Sequence, residues 1–586
     1  MIEESRLAAE LSTTVKRPSL LLAAIVAAFA FAGSASAAGN PFGVTVVRFA
    51  PGTTSAQMRS SVAAAGGVVV DDLSAIRALA VVPRSSGFGA RLAADRSVTS
   101  VFQDALLDDE QSPDGVAGGG RSSAPGSPGS GSGAAADPWN ALFQWDDERL
   151  NVPTAWTRTT GDGSIAVAVL DTGVQANHRE LKGVLDTSLG GNFIPCDDLR
   201  TLLGLGFIDR SGLRDCRDGD FEGHGTWVAS RIAGALNGYA SNGIAPGVRI
   251  GSYKVLAAGL GGLSSWILSG LLAACSDPRI DVVNMSIEGY MDPADPFSVQ
   301  DYLLFTDAVD YCREHGVPVF AAAGNQHVRV DRVALTLGGR QLQGVGRVST
   351  GAEGIATVTP GSPSVADFDL RGWLPVPGGV PGVTMVSATA NAIGAAPADV
   401  PLRWQAHVGA RDQLAYYSNY GSRVDLAAPG GARRYEIPGY DGGAGNVLYG
   451  GWGSFGALAA DGLICQDPFA GSSFNSACFK DRGDGFGWLQ GTSMAAPNAA
   501  GVAALVLSAR PDLVGHPAAL VQRLAGTARH SLVNYMGPND AANTAPALDG
   551  RPCGTGFCHV DQTHPIAFAD AYGAGLVDAG AAVSQP

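Results

Sequence analysis

Ile165-Ala166-Val167-Ala168-Val169-Leu170 runs apolar without a break and is followed at once by Asp171-Thr172-Gly173. A strand with one wet face would alternate. A continuous apolar run belongs to a strand covered on both faces, as parallel strands between layers of helices are. Further runs lie at 280–287, 317–323, 383–388 and 424–427, with helical stretches at 224–233, 264–275 and 305–315. This alternation predicts an α/β fold, a parallel sheet joined by crossover helices on both faces. In such sheets active groups collect at the carboxyl ends of strands, which draws attention to Asp171. Taken alone, Asp171 reads equally as a turn or helix-capping aspartate.

Two other glycine-marked stretches supply complementary chemistry. His224 lies in Gly223-His224-Gly225-Thr226, at the start of a predicted helix, and Ser493 lies in Gly491-Thr492-Ser493-Met494-Ala495-Ala496-Pro497, heading a long buried helix to Ala509. A serine hydroxyl is a poor nucleophile near neutral pH unless a base takes its proton. A histidine held in one tautomer by a carboxylate is such a base. A serine at a helix start also gains from the helix dipole, which favours negative charge there. Pro497 is expected in the first helical turn, where a missing N–H costs nothing. The plainer alternatives are a buried, hydrogen-bonded His224 and a capping role for Thr492 or Ser493. Asn325, in Ala321-Ala322-Ala323-Gly324-Asn325, follows the strand that begins at Val317; a turn role is its alternative. The β-rich proteases that share Asp-Thr-Gly need a second acid of the same kind. The chain offers none.

With the order Asp, His, Ser and these flanking residues, the chain resembles the subtilisin-like serine proteases (subtilases). Tyr417-Ser418-Asn419-Tyr420-Gly421, Leu426-Ala427-Ala428-Pro429-Gly430 and Tyr572-Gly573-Ala574-Gly575-Leu576-Val577-Asp578-Ala579 look subtilase-like too. The resemblance implies a subtilisin-like three-layer fold and a triad of Asp171, His224 and Ser493. It further implies that the Asn325 amide and the Ser493 N–H hold the oxyanion. By the same resemblance, an extended peptide binds as an added strand between Gly261-Gly262-Leu263-Ser264 and Ser286-Ile287-Glu288-Gly289, beside Ala323 and Gly324. Glu288 departs from the family's usual glycine. It is expected either to narrow or charge the primary specificity pocket or to be a solvated rim charge. No cofactor is expected for the chemistry. Structural calcium is possible, with Asp197, Asp198, Asp215, Asp218 and Asp220 as candidate oxygens, against a plain acidic surface loop. The expected activity is that of a secreted serine endopeptidase made as a precursor. The alternatives are a catalytically silent binding protein on the same fold, or an esterase, whose Gly-x-Ser-x-Gly elbow is absent around Ser493.

The N-terminal residues carry a different message. Lys16-Arg17, the apolar stretch Leu20–Phe31 and Ala35-Ser36-Ala37 have the order of a secretory signal peptide over 1–38. The apolar run is short for a membrane span. Residues 43–108 read as β-α-β-β-α-β, the ferredoxin-like order. Their place before a protease-like domain resembles that of an inhibitory propeptide. Residues 109–138 are rich in Gly, Ser and Pro and form a predicted linker. The peptidase domain then covers 139–586, with insertions near 326–380 and 431–487. The chain has 586 residues and a net charge of -15, which argues against nucleic acid or an anionic membrane as partner. The expected partners are polypeptide substrates and the chain's own propeptide, acting as intramolecular inhibitor and chaperone, with no membrane contact after signal cleavage and a monomeric state. Eight cysteines in an exported chain read as a disulfide set. Nearest-neighbour pairing gives Cys196–Cys216, Cys275–Cys312, Cys465–Cys478 and Cys553–Cys558. A metal site with His559 and His564 is the rival reading of the last pair.

Overall fold

The computed structural model describes residues 43–107, 137–138, 140–195, 217–356, 368–390, 414–415, 417–431, 453–465, 478–530 and 566–584. The predicted signal peptide and nearly all of the predicted linker lie outside these residues, as do Cys196, Cys216, Cys553 and Cys558.

The sequence-predicted small unit contains strands Thr45–Phe49, Gly67–Leu73, Ala78–Pro83 and Val98–Gln103, with helices Ser55–Ala65 and Phe88–Ala93. In chain order the four strands pair antiparallel as second, third, first, fourth. The first helix begins at a capping box: the Thr54 hydroxyl accepts from Gln57 N–H while the Gln57 side chain accepts from Thr54 N–H. Val47, Phe49, Met58, Val62, Leu79, Val81, Phe88 and Leu92 fill the space between helices and sheet.

The larger body is built on a seven-stranded sheet, in spatial order Leu426–Pro429, Thr384–Thr389, Val319–Ala322, Val282–Met285, Ala166–Asp171, Arg249–Lys254, Leu185–Asn192. Every neighbouring pair runs parallel. The strand Ala166–Asp171 is buried at all of its positions, as its unbroken apolar run predicts. The helix Thr492–Ala509 packs against one face with His224–Ala233, and Ser264–Ser276 and Pro296–Glu314 cover the other. Thr492–Ala509 is long and apolar enough to cross a membrane by composition, yet it is the buried core helix. The Pro296–Glu314 helix starts nine residues before the expected Phe305. Asp295 caps it, accepting from Phe297 N–H and Ser298 N–H, and Pro296 sits at its first position. Gln300, Asp301 and Asp307 break its apolar pattern because they face the small unit.

Both predicted insertions carry structure. The first forms an antiparallel hairpin, Val330–Leu337 with Arg340–Val348, whose tip reaches Asp307 through Arg340 at 2.5 Å. The second forms a three-stranded antiparallel sheet, with Asp484–Leu489 between Ser454–Leu458 and Cys478–Asp481. It lies on the His224–Ala233 helix, where Trp227 donates to Gly487 O at 3.3 Å and the Ser230 hydroxyl accepts from Ala457 N–H at 2.9 Å. Cys275–Cys312 and Cys465–Cys478 are both bonded. The first joins the Ser264–Ser276 and Pro296–Glu314 helices.

Candidate active site

Three neighbouring strands end side by side: Ala166–Asp171, Val282–Met285 and Val319–Ala322. Their carboxyl ends deliver Asp171, Ser286 and, just past Ala323-Gly324, Asn325 to one edge of the sheet. Asp171 and His224 are both fully buried, and His224 Nδ1 donates to Asp171 Oδ1 at 2.8 Å. The same oxygen accepts from Thr172 N–H at 2.8 Å. Burial disfavours the imidazolium, but the charge and hydrogen bond of Asp171, with smaller help from Glu222 and Asp220, outweigh it and hold the His224 pKa above 6.5. The carboxylate also fixes the tautomer, leaving Nε2 as the basic nitrogen. Nε2 is buried and has no hydrogen-bond partner among the described residues. Gly225 is required by close approach, since a Cβ there would lie 2.2 Å from Gly173 O and 3.0 Å from Asp171 Oδ1.

Ser493 is the second residue of its helix, where N–H groups have no helical acceptor. Asn325 is locked beside it: its Oδ1 accepts from Thr492 N–H at 2.8 Å and from the Thr492 hydroxyl at 3.0 Å. That hydroxyl in turn accepts from Gly324 N–H at 3.0 Å. With Oδ1 spent on Thr492, the amide's orientation is set and Nδ2 becomes its donating end. Pro497 sits in the sixth helical position, past the first turn in which it was expected. Its missing N–H would have bonded the Ser493 carbonyl four residues back. The Ser286 hydroxyl bonds that carbonyl instead, at 2.7 Å. The Ser493 hydroxyl lies 3.4 Å from Ser286 O, so the serine–histidine hydrogen bond is not made in this state. Such bonds often tighten only when substrate binds.

The substrate-binding segment predicted at Gly261, Gly262 and Leu263 is already paired. Leu106–Leu107, the last described residues of the small unit, run antiparallel to Gly262–Leu263, with Leu107 opposite Gly262. The Leu107 side chain is buried in an apolar cluster with Leu256, Ile267, Ile287 and Met291, and a Cβ on Gly289 would lie 2.4 Å from it. With the small unit in place Glu288 is only 5% exposed, so in this state it is not a solvated rim charge. A Cβ on Gly324 would meet Asn419 Nδ2 at 2.2 Å, the Tyr290 hydroxyl at 2.8 Å and Glu288 Oε2 at 2.9 Å. Glu288, Tyr290 and Asn419 therefore form a polar wall against the chain leading to Asn325. Asn419 Nδ2 donates to Tyr290 at 2.6 Å and to Ala323 O at 2.8 Å.

The Asp220 carboxylate is taken up by protein donors. Its Oδ1 accepts from Glu222 N–H, Gly223 N–H and the Thr172 hydroxyl, and its Oδ2 accepts from Thr226 N–H. A carboxylate so supplied with donors is a helix cap, and it ties the histidine's loop to the aspartate's. Asp197, Asp198 and Asp215 lie outside the described residues, and among the described residues no three acids, histidines or cysteines converge as a metal site would need. Lys254 escaped the sequence reading, as did the bonds that Thr172, Thr492 and Asp220 make here. Lys254 is buried and donates to Thr172 O at 2.9 Å and Gly219 O at 3.0 Å. The two threonines sit directly beside Asp171 and Ser493, and their adjacency was the only available signal.

Against known proteins, the chain is 28% identical over 208 residues to the major intracellular serine protease of Bacillus subtilis, covering 35% of this chain and 57% of that one. It therefore spans little more than half the length of that relative. It is 27% identical over 417 residues to mycosin-3 of Mycobacterium tuberculosis, covering 68% of each. Among solved structures, the epidermin leader peptide processing serine protease EpiP of Staphylococcus aureus matches with a TM-score of 0.55 over 93% of this chain and 99% of that one. At 16% identity that likeness concerns the fold alone. The model of the subtilase family matches residues 162–567, a span that contains the central sheet, its helices and all four residues described above, and the chain belongs to that family.

Proposed function

We propose that the chain is a secreted serine endopeptidase made as a precursor, in which Ser493 attacks the scissile carbonyl while His224 Nε2 takes its proton. Asp171 stabilises the imidazolium so formed. The Asn325 amide and the Ser493 N–H stabilise the oxyanion, where preorganised donors are worth most. His224 then protonates the leaving amine, and water releases the acyl group by the same steps reversed. The observation that carries this reading is the 2.8 Å bond between buried Asp171 and His224, at the sheet edge where Asn325 is fixed to the residue preceding Ser493.

Residues 43–108 are proposed as the inhibitory propeptide. The pairing of Leu106–Leu107 with Gly262–Leu263 is strand addition of the kind an extended substrate makes. The unit is held by more than this pairing. Ser264 N–H donates to Ala105 O at 2.8 Å and Ser265 N–H to Asp104 at 3.1 Å. The Ser265 and Ser269 hydroxyls donate to Asp71, and Arg48 pairs with Asp307. The segment 137–156 belongs to the body, since Trp145 donates to Gly453 O at 2.9 Å and buried Arg231 pairs with Asp146 and Asp147. Separation of the two units then requires a cut between 108 and 136. The test is expression of the full chain beside Ser493→Ala, with intact-mass analysis and a peptide p-nitroanilide assay. The reading expects a shortened, active parent and an unprocessed, inactive variant. A variant that hydrolyses the peptide as the parent does would overturn it.

A further inference from the structure

The role of the second insertion is unassigned, and its contacts converge on the residues before His224. Leu463 N–H donates to Phe221 O at 3.0 Å and Ile464 N–H to Glu222 O at 2.9 Å. Gly462 presses so closely that a Cβ there would lie 2.4 Å from Glu222 O. Only glycine fits this approach. The side chains of Leu458 and Ile464, both fully buried, sit in van der Waals contact range of Gly223. On the other side of the same loop, Asp220 takes the N–H groups of Glu222 and Gly223. The loop is thus held from both sides, its donors by Asp220 and its acceptors by the insertion. Gly223 adopts φ 121°, and His224 follows as the first residue of its helix. The insertion also reaches the aspartate's loop, where Gln175 accepts from Ala460 N–H at 2.8 Å.

Cys465 directly follows this brace and is bonded to Cys478. Cys478 begins the strand that pairs with Asp484–Leu489, and that strand ends four residues before Ser493. The covalent and hydrogen-bonded circuit therefore runs from the histidine's loop through the brace, the disulfide and two strands to the serine.

We propose that the second insertion is a positioning frame: Gly462-Leu463-Ile464, stapled by Cys465–Cys478, fixes the loop carrying His224 relative to Ser493. This inference rests on the proposed triad but not on which substrate it serves. The insertion residues touch no reacting atom; they act through His224. A loop free to shift by about an ångström should cost roughly 10- to 100-fold in turnover with little change in binding.

The test compares the parent with Cys465→Ser/Cys478→Ser, both expressed as the full chain and assayed after processing, with active sites titrated, on a peptide p-nitroanilide well below the melting temperature of either. The expected result is a fall in kcat of about 10-fold or more, with KM within about twofold. The acid limb of the pH profile should move to lower pH, because Glu222 and Asp220, which support the imidazolium, move with the loop. Amide exchange over 221–226 should rise. A kcat within about twofold of the parent, or unchanged protection at 221–226, would overturn the proposal. Should the double variant not accumulate as folded protein, Gly462→Ala carries the same test with the disulfide intact. Activity of the parent, abolished by Ser493→Ala, bears only on the triad; the ratio of parent to brace variant bears only on the frame.

Discussion

Asp171 and Asp104 are almost equally hidden, at 0% and 2% exposure, yet each is buried beside a different kind of partner. Asp171 accepts the Thr172 N–H and faces the His224 imidazole, whose affinity for a proton its charge and hydrogen bond raise. Asp104 accepts Ser265 N–H, but across the contact between the small unit and the body it also faces Asp301, with Asp71 nearby. Burial first, then these two acids, push the Asp104 carboxyl well above the usual range. Burial likewise pushes Asp301 up to about 7, against hydrogen bonds from Ser264 and Ala105 and the charge of Arg48. A buried acid beside a base makes a permanent polarised pair. A buried acid beside another acid makes a contact that depends on a shared proton. The comparison separates the proposed catalytic centre, which is fixed, from the proposed inhibitory contact, which is conditional.

The sharpest way to break the comparison lies on its catalytic side. His224→Ala should lower kcat by about 10⁶-fold and Asp171→Asn by about 10⁴-fold, measured on one peptide at one pH. A loss below tenfold in either would remove the pair from the chemistry. Asn325→Ala should cost about 10²- to 10³-fold in kcat with KM nearly unchanged, because the lost donor acts on charge that develops only in the transition state. The parent's kcat/KM should rise through an acid limb whose midpoint lies above 6.5, since His224 must be neutral to act and its pKa is raised.

At the proposed inhibitory contact the sign runs the other way. A carboxyl whose pKa is raised in the complex favours that complex fully below its free value, and the contribution is lost as pH rises through the bound value, about 7 for Asp301. Asp71, Arg48, Arg77, Arg340 and Asp307 surround the same contact. Release of the small unit, followed as recovery of peptidase activity after processing, should be about tenfold faster at pH 8 than at pH 5, the equivalent of one pKa unit. Asp301→Asn should flatten that dependence while leaving activity after release intact. An unaltered pH dependence in Asp301→Asn would dissolve the contrast with Asp171. The smallest expected effect concerns Glu288. Glu288→Gly should change the order of preference among Phe, Leu, Lys and Glu peptides, and an unchanged order would confine its role to packing against Gly324.

How far the sequence could be read follows from the same physics. Strands covered on both faces announce themselves as unbroken apolar runs, so five strands of the sheet were legible, as were residues in glycine-marked motifs; Arg249–Lys254 and Leu185–Asn192, which carry polar residues, were not. The Pro296–Glu314 helix was read short because its first turns carry polar residues that make sense only beside the small unit. Asp220 was read as part of an acidic loop, with calcium as the other possibility, because sequence shows a charge but not the four donors that meet it. Pro497 looked like a first-turn proline because the Ser286 hydroxyl that replaces its hydrogen bond lies 211 residues earlier in the chain. Glu288 was open between a pocket residue and a rim charge because sequence does not show what packs over it, the distant Asn419 among its surroundings. In each case a partner that sequence does not display decided the outcome.

The central claim is that His224 and Asp171 activate Ser493. A fluorophosphonate probe added to the processed chain, followed by peptide mass mapping, tests it directly. One adduct on Ser493, lost or slowed by orders of magnitude in His224→Ala, is the expected result. Labelling of Ser493 at the same rate without the histidine, or no adduct on Ser493 in the parent, would contradict it.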